Sequence, residues 1–189
     1  MTGLAFLLFS VPLPPEGIAP AACETGEATP EQRERLRDFD FLIGDFWVTG
    51  HMWLGTQWSP PRPNTPPSRW NGRYGLGGTA VIDEWFNVDP GFEEQKGSGV
   101  NVRMKRDDGV WEMVWLAQPS FSAQHLVATI NDKGEPVMTQ VHPERKGFEA
   151  TFKRLGPDQW MRVHHALDAE GNPLPPIMLK ATRIPCIEG

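Results

Sequence analysis

Three side chains on separate segments of the chain have the chemistry of an acid–base site: His165, His51 and Asp83. An imidazole titrates near neutral pH, so either histidine could take up a proton while the Asp83 carboxylate orients the ring. This set predicts an isomerase, cyclase or hydratase that uses no cofactor. The mechanism requires the imidazole and the carboxylate to converge on one open space.

The same residues also have a structural interpretation. A histidine among apolar neighbours is more often a hydrogen-bonded core residue than a base. Asp83 and Glu84 are adjacent on a predicted strand and therefore face opposite ways. If Asp83 points inward, its burial needs a partner, which Arg162, Arg103 or a histidine could provide. A buried ion pair that only fixes geometry is then the simpler expectation.

Alternating side chains predict an interior lined by tryptophan and methionine. Met113 and Trp115 share one face of a predicted strand, and we place this face inside. Met161 and His165 share a face of a later strand, which we also place inside. On the strand that ends near residue 106, the face expected to point inward is the apolar one, which carries Val100, Val102 and Met104.

The ligand that this lining predicts is a small apolar or aromatic molecule. Small barrels are either filled by their own side chains or hold one small ligand, and aromatic and methionine side chains suit both. A packed core is therefore the alternative to a binding site. The expected ligand-binding residues are Trp85, Met113, Trp115 and Met161, with His165 as the polar anchor.

An all-β fold must position these side chains. After a short helix, alternation with period two dominates the chain and is broken about every eight to twelve residues by Gly, Pro, Asn and Asp, which is typical of sandwiches and barrels. Strands joined by such turns pair as neighbours. We expect an up-and-down antiparallel barrel of about ten strands, at residues 46–54, 69–75, 79–88, 99–106, 110–118, 124–131, 136–142, 148–155, 159–167 and 177–183.

The N-terminal part of the chain divides at Thr29. This residue suits the cap of a helix and Pro30 suits its first position, so a short helix is expected at 30–38. The preceding residues, 1–29, are expected to form an extended arm, because much of this segment is rich in Pro, Ala, Gly and Glu and lacks periodicity. Residues 30–189 then form a single barrel domain.

Three short segments stand out as motifs: Phe-Asp-Phe-Leu-Ile-Gly at 39–44, Leu-Gly-Gly-Thr-Ala at 76–80 and Asp-Gly-Val-Trp at 108–111. They resemble segments of a bacterial family of calycin-like, lipocalin-type barrels of unknown function. The family places a tryptophan where this chain has Phe46, with Trp47 directly after it. The resemblance implies a barrel with a cavity and these aromatics closing one end. Nitrobindins are a more distant comparison, and their Gly-x-Trp-x-Gly-x-Gly opening is absent, so haem is not expected.

Composition and spacing exclude several classes of partner. The net charge of -6, with acidic and basic residues interspersed, does not fit a nucleic-acid surface. The five histidines include no helical i,i+4 pair and no alternate pair on a strand, so no metal site is predicted. The sequence has no phosphate loop or dinucleotide-binding fingerprint, and no cofactor is expected.

The N-terminus and the cysteines bear on the location of the protein. Residues 4–9 are apolar but too few to span a bilayer, and no Lys or Arg precedes them. We therefore expect a cytoplasmic protein, with a secreted or periplasmic one as the alternative. Cys23 and Cys186 are expected to be reduced thiols, although an oxidising compartment would allow a disulfide between the two ends of the chain.

The first strand also predicts an interaction surface. Trp47 and Trp53 lie on the face opposite Phe46, Val48 and Met52, so only one of these sets can point into the barrel. Aromatic residues on an outer face need cover. We expect this cover to come from the N-terminal arm, with a homodimer as the alternative.

Overall fold

The computed structural model describes residues 25–61, 68–86, 98–118 and 120–186. Within them, ten antiparallel strands form a closed barrel in which sequence neighbours pair and the first strand pairs with the last. The predicted all-β, up-and-down, ten-stranded barrel is confirmed. The strands are β1 (Gly44–Met52), β2 (Ser68–Gly75), β3 (Ala80–Phe86), β4 (Ser98–Lys105), β5 (Trp111–Gln118), β6 (Ser122–Ile130), β7 (Pro136–His142), β8 (Glu149–Arg154), β9 (Gln159–His165) and β10 (Ile177–Arg183).

A helical segment precedes β1, beginning with α1 (Pro30–Leu36). The Thr29 hydroxyl accepts a hydrogen bond from the Gln32 backbone amide, and the Gln32 side chain accepts one from the Thr29 amide. This reciprocal pair satisfies two amides that the first helical turn leaves unpaired. The predicted cap is therefore correct. The segment also continues past residue 38, as a 3₁₀ helix (Arg37–Leu42).

This helical segment closes one end of the barrel. Leu36, Phe39 and Leu42 are fully buried. The Phe39 ring packs edge-on against Trp111 and Phe152, with ring centroids 4.8 and 5.5 Å apart. Edge-on aromatic pairs of this kind stabilise a packed core beyond the area they bury. Here the helix precedes the barrel in sequence and fills its closed end.

The structure decides the facing of β1, which the sequence left open. Phe46 and Val48 belong to the barrel core, and Phe46 packs edge-on against Trp160 at 5.8 Å. Because side chains alternate along a strand, Trp47 lies on the outer face, where it is nevertheless buried. Asp45 shares that outer face and pairs with Arg69 at 3.1 Å. Phe46 therefore contributes to the closed end, and Trp47 does not.

The last residues of the predicted N-terminal arm contact β2. The Thr25 carbonyl oxygen accepts a hydrogen bond from the Tyr74 amide at 2.8 Å. A Cβ atom at Gly26 would lie 2.1 Å from the Tyr74 carbonyl oxygen, so only glycine allows this close approach. Tyr74 lies beyond the part of β2 that pairs with β1. The chain at Thr25 thus occupies a strand edge that β1 leaves open, and residues 1–24 lie outside the described structure.

Cys186 forms a disulfide bond, so the expectation of a reduced thiol at this position is wrong. The sequence contains one other cysteine, Cys23, which lies outside the described residues. A disulfide between distant parts of a chain restricts the unfolded state more than the folded one.

In the described part of the chain, no helix is long and apolar enough to cross a membrane.

Candidate functional site

The half of the barrel away from the helical segment contains a cavity of about 300 Å³. Because β1 begins at the helical end and the strands alternate in direction, β3, β5, β7 and β9 all end at the opposite rim. The cavity is lined there by seven aromatic or aliphatic side chains. These are Trp70, Trp85, Trp115, Leu126, Met138, Phe148 and Leu179.

Two tryptophans give the cavity its aromatic wall. Trp85 and Trp115 are half-buried, whereas Trp111 and Trp160 in the packed half are completely buried. A Cβ atom at Gly99 would lie 2.2 Å from the Trp115 ring, so this glycine makes room for the indole. The inward orientation predicted for Trp115 and Met113 is confirmed, but Met113 is packed in the core and does not line the cavity.

A buried ion pair lies between β3 and β4. The carboxylate of Asp83 contacts the guanidinium of Arg103, and both side chains are fully inaccessible to solvent. The guanidinium carbon of Arg103 also lies 5.2 Å from the ring centre of Phe39 and 5.8 Å from that of Trp70. Burial, and secondarily the charge of Arg162, lowers the pKa of Arg103 to about 9. The structural ion pair expected for Asp83 is therefore present, with Arg103 as its partner.

This ion pair reverses the predicted facing of β4. Asn101 and Arg103 are buried inside the barrel, so the prediction that the apolar face of β4 points inward is wrong. A buried carboxylate at Asp83 requires a nearby countercharge, and only the Arg103 face of β4 supplies it. The outer face of β4 consequently carries the apolar residues Val100, Val102 and Met104.

The facing of β9 is also the reverse of the prediction. Trp160 is fully buried and packs edge-on against Trp70, with ring centroids 5.0 Å apart. Strand alternation then places Met161 and His165 on the outer face, where His165 is exposed. Neither residue lines the cavity. The burial of Trp160, the largest side chain of the strand, decides the orientation of β9. The position of this tryptophan in the sequence could have predicted which face of β9 points inward.

His51 also points away from the cavity. It lies on the outer face of β1, where Nδ1 is 2.7 Å from the Ser59 carbonyl oxygen and Nε2 is 3.0 Å from the Thr49 hydroxyl. His51 and His165 are thus outside the barrel, whereas Asp83 is inside and paired with an arginine. The structure does not bring the three predicted catalytic residues together, so its geometry does not support their acid–base mechanism.

The reversed facing of β9 brings Arg162 and His164 to the cavity wall. Burial lowers the pKa of Arg162 to about 10, which leaves the guanidinium charged at neutral pH. Burial, followed by the charges of Arg162 and Arg145, lowers the pKa of His164 to about 4, so its imidazole is neutral at pH 7. The His164 ring lies 5.9 Å from the ring of Phe148. The polar wall of the cavity is therefore cationic at neutral pH.

Asn101 and Gln124 complete the polar wall, and Arg145 lies at the rim with its guanidinium 5.1 Å from the ring centre of Phe148. Arg145 is exposed, which places it at the mouth of the cavity. Among the described residues, no cluster of three or more His, Cys, Asp or Glu side chains is arranged to hold a metal ion. The groups gathered at this site favour binding through aromatic contact and hydrogen-bond donation.

No protein-family model and no curated protein sequence matches this chain. Among solved structures, the S-type phycobiliprotein lyase CPES from Guillardia theta is similar, with a TM-score of 0.50. The two share 13% sequence identity over 85% of this chain and 99% of the lyase chain. At this identity the likeness is one of fold, and it agrees with the closed barrel described above.

Proposed function

We propose that this protein binds a small molecule with an aromatic or apolar body inside the barrel. The observation that carries the proposal is the cavity of about 300 Å³ walled by Trp85, Trp115 and Phe148. This volume lies at the lower end of the range for small-molecule sites, which are concave and mostly apolar with a few polar groups.

The contrast between the two halves of the barrel favours a binding site over an incompletely packed core. In the closed half, Trp111, Phe152 and Trp160 are fully buried. In the open half, Trp85 and Trp115 remain partly accessible although both belong to the inner face. Large aromatic side chains that line a space without filling it are available to a ligand.

Ligand-induced quenching of tryptophan fluorescence and a ligand-induced rise in Tm test this proposal. We expect hits from a library of small aromatic molecules, and we expect Trp115→Ala to weaken them. Trp53→Ala is the matched control, because Trp53 lies outside the cavity and packs edge-on against Trp58 at 5.3 Å. The proposal fails if no compound binds and Trp115→Ala costs about 3–5 kcal/mol, as a fully packed core residue would.

We also propose self-association through an apolar strip on the outer face of β4 and β5. Val100 pairs directly with Leu116 and Val102 with Val114. Leu116 and Val114 are 48% and 44% exposed, so the strip is available to a second copy of the chain. Sedimentation at several concentrations should show a dimer that Leu116→Lys dissociates, whereas a monomer at all concentrations would contradict this assembly.

We infer that the protein works in an oxidising compartment, because Cys186 forms a disulfide and such bonds are rare in the cytosol. Thiol titration of the unfolded, unreduced protein from its natural source measures the redox state of the two cysteines directly. We expect no free thiol. Two reactive thiols per chain would contradict the disulfide and favour the cytoplasm instead.

A further inference from the structure

We propose that the ligand carries a carboxylate, which binds at Arg162 while the aromatic body of the ligand contacts Trp85 and Trp115. This inference rests on the proposed binding function and specifies the chemical class of the ligand. It starts from an imbalance of charge: among the described residues, two arginines and no acidic residue line the cavity, in a chain whose net charge is -6.

Arg162 is a cavity cation for which the described residues provide no countercharge. No carboxylate in the described structure forms a salt bridge with it, and its Nε atom is buried without a hydrogen-bond acceptor. Its guanidinium lies 5.8 Å from the ring centre of Phe152. In the described structure, four other arginines that are at least half-buried each pair with a carboxylate: Arg69 with Asp45, Arg73 with Glu84, Arg103 with Asp83 and Arg183 with Asp158.

The fully buried acid of β3 already has a cationic partner. Asp83 contacts Arg103, and the charge of Arg162 acts on Arg103 as a repulsion. A buried cation without an anion is costly, so a ligand anion at Arg162 would relieve a penalty that the folded protein carries on its own. The planar guanidinium matches the two oxygens of a carboxylate, whose charge-assisted hydrogen bonds are stronger than neutral ones.

The neighbouring polar groups also suit an anion. His164 is neutral at pH 7, and its Nδ1 atom is buried without a partner in the described part of the chain. Asn101 and Gln124 have amide groups on the same cavity wall, and each amide can donate hydrogen bonds. Arg145 at the mouth adds a second positive charge, which raises the local concentration of anions.

Matched acids and amides isolate the contribution of the charge. Calorimetric titration of the full chain at pH 7 would compare three acids with their neutral amides. The acids are benzoate, indole-3-acetate and 1-naphthoate. We expect at least one acid to bind about tenfold more tightly than its amide, the change that one charge-assisted hydrogen bond supplies. Arg162→Met should abolish this preference while leaving amide binding in place, and Arg162→Lys should retain part of it.

Arg154→Met is the matched control, because Arg154 lies at the closed end and pairs with Asp40. It should keep the full preference for acids. Equal binding of each acid and its amide to the wild-type protein would overturn this inference and leave the proposed binding function standing. Absence of binding by all six compounds and by the wider library would instead refute the binding function itself. The wild-type comparison decides the question even if Arg162→Met fails to fold.

Discussion

Removing one member of the Asp83–Arg103 pair should destabilise the barrel far more than removing both. Each side chain is fully inaccessible, so neither charge can regain water when its partner is lost. Breaking such a pair typically costs about 3–5 kcal/mol, whereas replacing both members by apolar residues is often close to neutral. We therefore expect about 3–5 kcal/mol of destabilisation for Asp83→Leu and for Arg103→Met, and within about 2 kcal/mol of wild type for the double variant.

Urea unfolding followed by tryptophan fluorescence gives the free energies for this double-mutant cycle. The exposed pair of Arg35 and Asp107 is the control, because its side chains are 52% and 95% exposed, and Asp107→Asn should cost less than about 1 kcal/mol. A coupling energy below about 1 kcal/mol between Asp83 and Arg103 would refute the reasoning. That result would mean that water reaches the pair or that the two groups do not act together.

Three further outcomes follow from the structure. The folded pKa of His164, about 4, lies below its ordinary value of 6.5, so the histidine favours folding above pH 6.5 and loses this contribution as the pH falls to 4. Discounted for partial solvent access, this lowers the free energy of unfolding by about 1–2 kcal/mol between pH 6.5 and 4. In His164→Gln, urea unfolding at several pH values should show no such decrease. Gly99→Ala should displace the Trp115 ring, shift the tryptophan fluorescence emission and weaken ligand binding. Gly156→Ala should have none of these effects, because a Cβ atom there meets no other atom within 4 Å. Phe39→Ala should lower the free energy of unfolding by about 3–5 kcal/mol, and a loss below about 1 kcal/mol would contradict the packing of the closed end.

The architecture could be predicted because local signals determine it. Period-two alternation and regularly spaced turns indicate strands and hairpins without knowledge of their partners. The helix began where Thr29 and Pro30 predicted, since capping is a contact between residues three positions apart. The inner face of β5 was also clear, because Trp111 and Met113 lie on the same face. The ten strands could therefore be inferred without knowing any contact between residues that are distant in the sequence.

The site could not be predicted to the same extent, because its polar residues depend on contacts between strands. Arg103 points inward because Asp83 on the neighbouring strand needs a countercharge, and the hydrophobic pattern of β4 alone indicates the opposite. His51 is turned outward toward Ser59 in the segment after β1, a contact that alternation does not reveal. The cavity histidine is His164 where the sequence favoured His165, and Arg162 was considered only as an ion-pair partner.

The pairing of the first strand with the last has a consequence for how the chain is made. Phe46 at the start of β1 is paired with Arg183 at the end of β10, so the barrel cannot close until β10 has left the ribosome. The helical segment emerges before any strand, and its Phe39 ring packs against Phe152, which is synthesised more than a hundred residues later. Contacts so distant in sequence slow folding. During synthesis the apolar side chains of the helical segment and of the inner face of β1 therefore lack the partners that bury them in the folded barrel.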